Sequence, residues 1–227
     1  MSTSPTPFVP SSTTLNLATW VPTTTAEGPG NRFALWVQGC AIRCEQCCNP
    51  DMFAFSPKQL LSVDAMFDLV MESKERHGIQ GITCLGGEPF SQAGALATLA
   101  ENVQEQGLSV MVFSGHVLEE LRARDDDGTH RFLNAIDILV DGPYMVSQHT
   151  NKRRWIGSNN QRIHFLTERY DPNDPAWKKP NTVEIHYDGK EILVAGFPEG
   201  PWAEKLKHWN RWSKKMKRPS TPSDENS

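Results

Sequence analysis

The sequence predicts an α/β fold, a partial (β/α) barrel followed by a C-terminal β-hairpin and a basic tail. Three observations carry this. Apolar runs of strand length, with no polar alternation, recur at Phe33–Val37, Ile79–Leu85, Leu108–Phe113 and Ile138–Val140, the pattern of strands buried on both faces. Segments with helical spacing separate most of them, and strand–helix alternation means parallel strands with right-handed crossovers. At 227 residues the chain is too short for eight such units, so the barrel should be incomplete.

Residues 1–12 are polar and proline-rich and read as a mobile lead-in to a core over 13–170. Leu15–Ala18 suggests a short strand. Gly28-Pro29-Gly30-Asn31-Arg32 is a loop in which backbone turns sharply or approaches a ligand. After the strand at 33–37, residues 63–76 read as a helix with Ser62 as N-cap, Phe67, Val70 and Met71 on its apolar face, and Gly78 as its stop. The strand at 79–85 runs into Gly86-Gly87-Glu88-Pro89-Phe90. A helix over 91–106 places Leu96, Leu99, Ala100 and Val103 on one side. The strand at 108–113 closes on Ser114-Gly115-His116, and residues 117–124 are helical until Asp125–Gly128 interrupts them. The strand at 138–140 ends on Asp141-Gly142-Pro143-Tyr144.

Beyond Tyr144 the pattern changes. A strand-like Ile163–Leu166 is followed by a Pro-, Asp- and Lys-rich linker over 171–181. Val183–Tyr187 and Glu191–Ala195, joined through Asp188-Gly189, signal a hairpin, so 171–202 is read as a linker and hairpin extension. Residues 203–227 form a basic tail, helix-like as far as 218 and disordered from 219.

A net charge of −4 and 38% hydrophobic residues suit a soluble protein with no general affinity for nucleic acid. No apolar run approaches a membrane span. The first residues lack the basic and apolar regions of a signal peptide, so a cytoplasmic location is expected. Five cysteines, with Cys40, Cys44, Cys47 and Cys48 inside nine residues, fit metal binding in a reducing compartment better than disulfides.

The cysteine spacing speaks to the metal. Cys40, Cys44 and Cys47 leave a strand on one loop and make a tripod for one soft metal cluster. A closed structural zinc site takes four ligands, and Cys48 is a candidate fourth. An iron–sulfur cubane held by three thiolates instead keeps one iron open to an outside ligand. Cys84 reads as an inert strand thiol. The cysteine loop, Gly86–Glu88, Ser114–His116 and Asp141 all lie just past strand C-terminal ends, the rim where α/β folds gather their chemistry.

In this order, GPGNR at 28–32, WVQGCAIRCEQC at 36–47, GGEPF at 86–90, VFSGH at 112–116, VDGPY at 140–144 and GSNNQRI at 157–163 resemble the radical S-adenosylmethionine (SAM) superfamily. Within it, the short activating enzymes of glycyl-radical enzymes are the nearest likeness, over residues 13–166. The resemblance implies a barrel of the radical SAM type. It implies a [4Fe–4S] cluster on Cys40, Cys44 and Cys47, with SAM on the open iron. Gly86, Gly87 and Glu88 would meet the methionine amino group, largely through backbone carbonyls. Ser114 and Asp141 would lie by the ribose and adenine. Many members place an aromatic residue before the third cysteine, where this chain has Gln46. The implied reaction is reductive cleavage of SAM to a 5′-deoxyadenosyl radical, which abstracts hydrogen from a glycine of a partner glycyl-radical enzyme. The electron would come from a donor such as flavodoxin or ferredoxin. A stand-alone radical SAM enzyme acting on a peptide or small molecule is the alternative, and a non-catalytic zinc-binding module is the third reading.

Overall fold

The computed structural model describes residues 10–187 and 192–197. Most of the lead-in, the turn of the hairpin and the basic tail lie outside the described residues.

Seven strands form one sheet in the order β3-β1-β2-β4-β5-β6-β7. β2 (Arg32–Val37), β4 (Gly81–Gly86), β5 (Ser109–Phe113) and β6 (Ile138–Asp141) are its parallel centre. The flanking strands run antiparallel: β1 (Thr14–Thr24) on β2, β3 (Gln59–Ser62) on β1, and β7 (Arg162–Phe165) on β6. The fold is therefore mixed α/β with a mostly parallel central sheet. β1 is much longer than the Leu15–Ala18 stretch suggests. It continues through Pro22 because β3 pairs only with Thr14–Leu17, so the missing N–H falls on an open edge, at a register shift between Val21 and Thr24. The short β3, with only Leu60 and Leu61 apolar, gave no separate signal.

Helix α1 (Val63–His77) begins where Ser62 accepts a hydrogen bond from the Ala65 N–H, a cap of about 1 kcal/mol, and ends at Gly78 in the left-handed conformation, φ 60°. Its buried residues are Val63, Met66, Val70 and Ser73, so its core face is turned slightly from Phe67 and Met71, which pack at the margin. The helix expected from Ser91 starts as a 3-10 turn (Pro89–Gln92) and becomes α2 at Ala93–Glu105. The helical region after β5 splits into α3 (Leu118–Arg122) and α4 (Asp127–Asn134). Asp126 caps α4 through the Thr129 N–H, so Asp127 and Gly128 begin a helix rather than interrupt one.

The two faces of the sheet differ. Phe33, Leu35, Val37, Ile82, Cys84, Val110, Val112 and Leu139 point toward the helices and form the main core with Met66, Val70, Leu96, Leu99 and Phe132. The alternate residues Ala34, Trp36, Leu85, Met111, Phe113 and Val140 point to a face against which no α-helix packs among the described residues, the helix-free face. The chain covers that face itself. Trp155 and Ile156 lie against Met111, Ile138 and Val140, and Trp177, from the segment read as a linker, stacks edge-on against Trp155 and Phe165. A separate two-stranded hairpin, β8 (Val183–Tyr187) with β9 (Ile192–Gly196), adds Ala195 and Leu193 beside Trp36 and Leu85.

Candidate functional site

The cysteine loop leaves β2 through Gly39, whose φ of 103° favours glycine. The Gly39 and Cys40 N–H groups donate to the Met52 and Phe53 carbonyls, and Gln38 Nε2 donates to the Ala54 carbonyl at 2.8 Å, so both ends of the loop are pinned. Between them Arg43 and Gln46 hold left-handed backbone, φ 52° and 54°. Non-glycine residues resist that conformation by about 1–2 kcal/mol each. Such strain is concentrated where a loop must aim several side chains at one place.

Cys40, Cys44 and Cys47 sit within electrostatic reach of one another. Burial pushes the Cys40 and Cys44 thiols up, and each neighbouring sulfur adds to the push. Cys47 is lowered to about 6, first because the Cys48 thiol donates to its sulfur, with the Asn49 N–H also pointing at it. Cys48 itself is exposed. Among the described residues no three His, Cys, Asp or Glu side chains are gathered tightly enough to hold a single metal ion. A cluster brings its own sulfides, and each iron the protein holds takes one thiolate. Three neighbouring soft donors on one constrained loop fit that group.

The other rim stretches pack onto this loop. The Gly87 N–H donates to the Val37 carbonyl at 2.8 Å and the Glu88 N–H to the Gly39 carbonyl at 2.9 Å. A Cβ on Gly87 would stand 2.4 Å from the Gly39 oxygen, so only glycine lets the two loops touch. The Glu88 carboxylate is buried and ties its own stretch to Ser114-Gly115. It accepts from the Phe90 N–H at 3.0 Å, the Ser114 hydroxyl at 3.0 Å and the Gly115 N–H at 2.9 Å. Burial raises its pKa, and these donors pull against the rise. Ile42 of the cysteine loop lies over Gly115, where a Cβ would come within 2.5 Å of it. The Tyr144 N–H points at the Cys44 sulfur.

Asp141 is at the same rim with its carboxylate committed inward. It accepts from Arg162 Nε at 3.0 Å and the Leu118 N–H at 2.7 Å, and His164 Nε2 lies 3.0 Å away. Burial opposes its ionisation, but Arg162, Leu118 and His164 hold it below the usual range. Asp141 thus braces β6, β7 and α3. Gln46 is exposed. Cys84 is buried on the helix side of β4 and its thiol is pushed up to about 12 by burial. A cavity of about 470 Å³ lies at the other end of the strands, bordered by Asn31, Arg154, Trp155 and Tyr170, away from the cysteine loop.

Two inward-facing residues were not foreseen as buried. Arg32, expected in a loop, is fully buried in β2 on the helix-free face. It donates to Thr83 Oγ1 at 2.7 Å, to Ser109 Oγ at 3.0 Å and to the Ile82 carbonyl at 2.5 Å. Glu27 is buried beneath the hairpin, where its carboxylate accepts from the Gly196 N–H at 2.5 Å and lies within electrostatic reach of Cys48.

Residues 26–164 match the family described as a 4Fe-4S single cluster domain, which is more than half of the chain. The chain belongs to that family. A zinc module is therefore set aside. Among similar proteins, the anaerobic ribonucleoside-triphosphate reductase-activating protein of Vibrio cholerae is 29% identical over 158 residues, 67% of this chain and 99% of that one. Its counterpart from Haemophilus influenzae is 30% identical over 161 residues, 66% of this chain and 97% of that one. A pyruvate formate-lyase-activating enzyme of Staphylococcus aureus is 28% identical over 177 residues, 75% of this chain and 69% of that one. This 4Fe-4S protein is a radical SAM enzyme of the activating type, with a [4Fe–4S] cluster and SAM as its cofactors.

Proposed function

We propose that the chain activates a partner glycyl-radical enzyme by removing hydrogen from one of its glycines. The relatives named above carry activation of a reductase or a lyase in their names. The observation that carries the reading is the junction of the cysteine loop with Gly87 and Glu88, where hydrogen bonds of 2.8 and 2.9 Å fuse two strand ends. Cys40, Cys44 and Cys47 would hold the cluster. Gly86, Gly87 and Glu88 would hold the methionine end of SAM through backbone, since the Glu88 carboxylate is occupied with Ser114 and Gly115. When bound, the cluster supplies the electron that cleaves SAM, and SAM supplies the hydrogen-abstracting radical. The protein's own part is orientation and shielding. Glu88 locks three rim stretches into one unit. Trp36, Leu85 and Phe113, just below the rim, give an apolar floor that helps keep water out. Ser114 would face the ribose, and Asp141 would act by bracing the rim.

On this reading the open sheet is a partial barrel and its helix-free face receives a polypeptide. The electron donor would be a flavodoxin or ferredoxin. No helix among the described residues is long and apolar enough to cross a membrane, and five free thiols suit the cytoplasm. Anaerobically reconstituted protein with dithionite and SAM should release 5′-deoxyadenosine. With the partner present, a glycyl electron-spin signal should appear on the partner. Cleavage with deuterium taken instead from a small substrate would overturn the activase reading in favour of a stand-alone enzyme.

A further inference from the structure

The family match ends at residue 164, and the β8–β9 hairpin lies past that end. It rests on the helix-free face directly below the rim. Ala195 is fully buried and packs, with Leu193, among Ala18, Val21, Ala34, Trp36 and Leu85. Phe197 packs at a tilt against Phe113 with ring centroids 6.2 Å apart, and Phe113 is the residue before Ser114. Between them, the Gly196 N–H donates to the buried Glu27 carboxylate. At the hairpin's other strand, Glu184 Oε1 accepts from the Thr25 N–H at 2.9 Å and the Thr25 hydroxyl at 2.6 Å.

Among the described residues, each of these contacts has a side chain on at least one side. No backbone ladder joins the hairpin to the seven-stranded sheet, so lifting it off breaks no sheet hydrogen bonds. A lone two-stranded ribbon is marginally stable. Its outer side shows Val183, Ile185 and Tyr187 to solvent, 41, 61 and 69% exposed, so packing on that side does little to hold it. Leu85 and Phe113 sit immediately before Gly86 and Ser114 and Trp36 four residues before Cys40, so β9 covers the apolar surface next to that rim.

We infer that the hairpin is an in-chain stand-in for the substrate polypeptide, which reaches the helix-free face by displacing it. The segment in place describes the kind of partner the face accepts. It is an extended, uncharged stretch with a small residue on Trp36 and Leu85, then a glycine, then an aromatic residue on Phe113. Gly196 has φ 96°, and a Cβ there would come within 2.1 Å of the Thr182 carbonyl oxygen in the hairpin's own segment and 3.0 Å of the Ala26 Cβ, so the glycine answers first to the hairpin's backbone and second to the face. The inference rests on the activase reading for what binds, while the displacement itself is measurable without any turnover.

The test uses the reconstituted full-length protein and a fluorescent capped hexapeptide with the sequence of residues 192–197. Binding is read by anisotropy, and hairpin opening by amide hydrogen exchange. Replacing the hairpin's two holding side chains together (Glu184→Ala with Phe197→Ala) should raise exchange at 183–187 and 192–197 about 10-fold, and tighten peptide binding by a similar factor, because affinity scales with the population of the open form. In the wild type, saturating peptide should deprotect the hairpin and leave β2, β4 and β5 protected, and a scrambled peptide should do neither. Faster exchange without tighter binding overturns the inference, and so does unchanged exchange in the double variant. SAM cleavage in the same preparations is scored separately. Its absence would count against the activase reading and leave the binding result standing.

Discussion

The two faces of the central sheet are built from alternate residues of the same strands, and they do different work. The helix side is dry and aliphatic: Leu35, Val37, Ile82, Val112, Leu96 and Leu99 are all fully buried with no polar group among them. The helix-free side is wider in chemistry. It carries the guanidinium of Arg32, the carboxyl of Glu27, Thr83 and Ser109, and is covered by loops, aromatic rings and the hairpin. Burying a polar group is tolerated only when its hydrogen bonds are met, and on this side they are met one by one. The helix side therefore sets stability, and the helix-free side with its rim sets chemistry. Substitutions on the two sides should separate those properties.

The sharpest separation is at the rim. Alanine at Cys40, Cys44 or Cys47 should abolish the brown colour and reduce SAM cleavage below about 1% of wild type, because one of the three protein-held irons loses its only thiolate. Thermal unfolding of the cluster-free protein should barely move. Cys48→Ala should keep the colour, and loss of colour there would make Cys48 a ligand.

Arg32 tests whether the helix-free side also bears structural weight. Arg32→Met keeps length but strands the acceptors at Thr83, Ser109 and Ile82. Unsatisfied buried groups cost about 1–3 kcal/mol each, so urea denaturation should show a loss of about 3 kcal/mol or more. A loss below about 1 kcal/mol would mean that water replaces the guanidinium.

Glu27 gives the pH dependence. Burial raises its pKa from 4.5 to about 7, the Gly196 N–H opposes the rise, and the charge of Glu184 adds to it. Between those values the folded chain holds a proton that the unfolded chain releases, so stability falls as pH rises. The contribution is complete below the unfolded value, is lost as pH climbs through about 7, and has an upper size of about 3 kcal/mol. Glu27→Gln should flatten this slope in denaturation measured from pH 5 to 8. An unchanged slope would assign the titration elsewhere.

The smallest effect concerns the glycine contact. Gly87→Ala drives a Cβ against the Gly39 oxygen and should cost about 1–3 kcal/mol, with SAM cleavage falling about 10-fold through misplacement. Wild-type cleavage in that variant would show that the two loops separate without consequence.

The particular residues show what was readable. The four parallel strands stood out because buried parallel strands are continuous apolar runs, and α1 because Ser62 and Gly78 mark its ends by local chemistry. β3 was silent, since a four-residue edge strand has too short a pattern to register, and β1 runs past the expected Leu15–Ala18 because its pairing with β2 continues to Thr24. The sequence by itself determined the alternation of strand and helix, the cysteine spacing and the order of motifs along the chain, because those depend on neighbours in the chain. Only the tertiary structure decided that Glu88 spends its carboxylate on Ser114 and Gly115, that Asp141 turns inward to Arg162, and that Arg32 and Glu27 are buried. It alone laid the hairpin on the face below the rim. Those outcomes depend on which distant groups are left to satisfy a buried charge, and that is settled only when the faces of the sheet are covered.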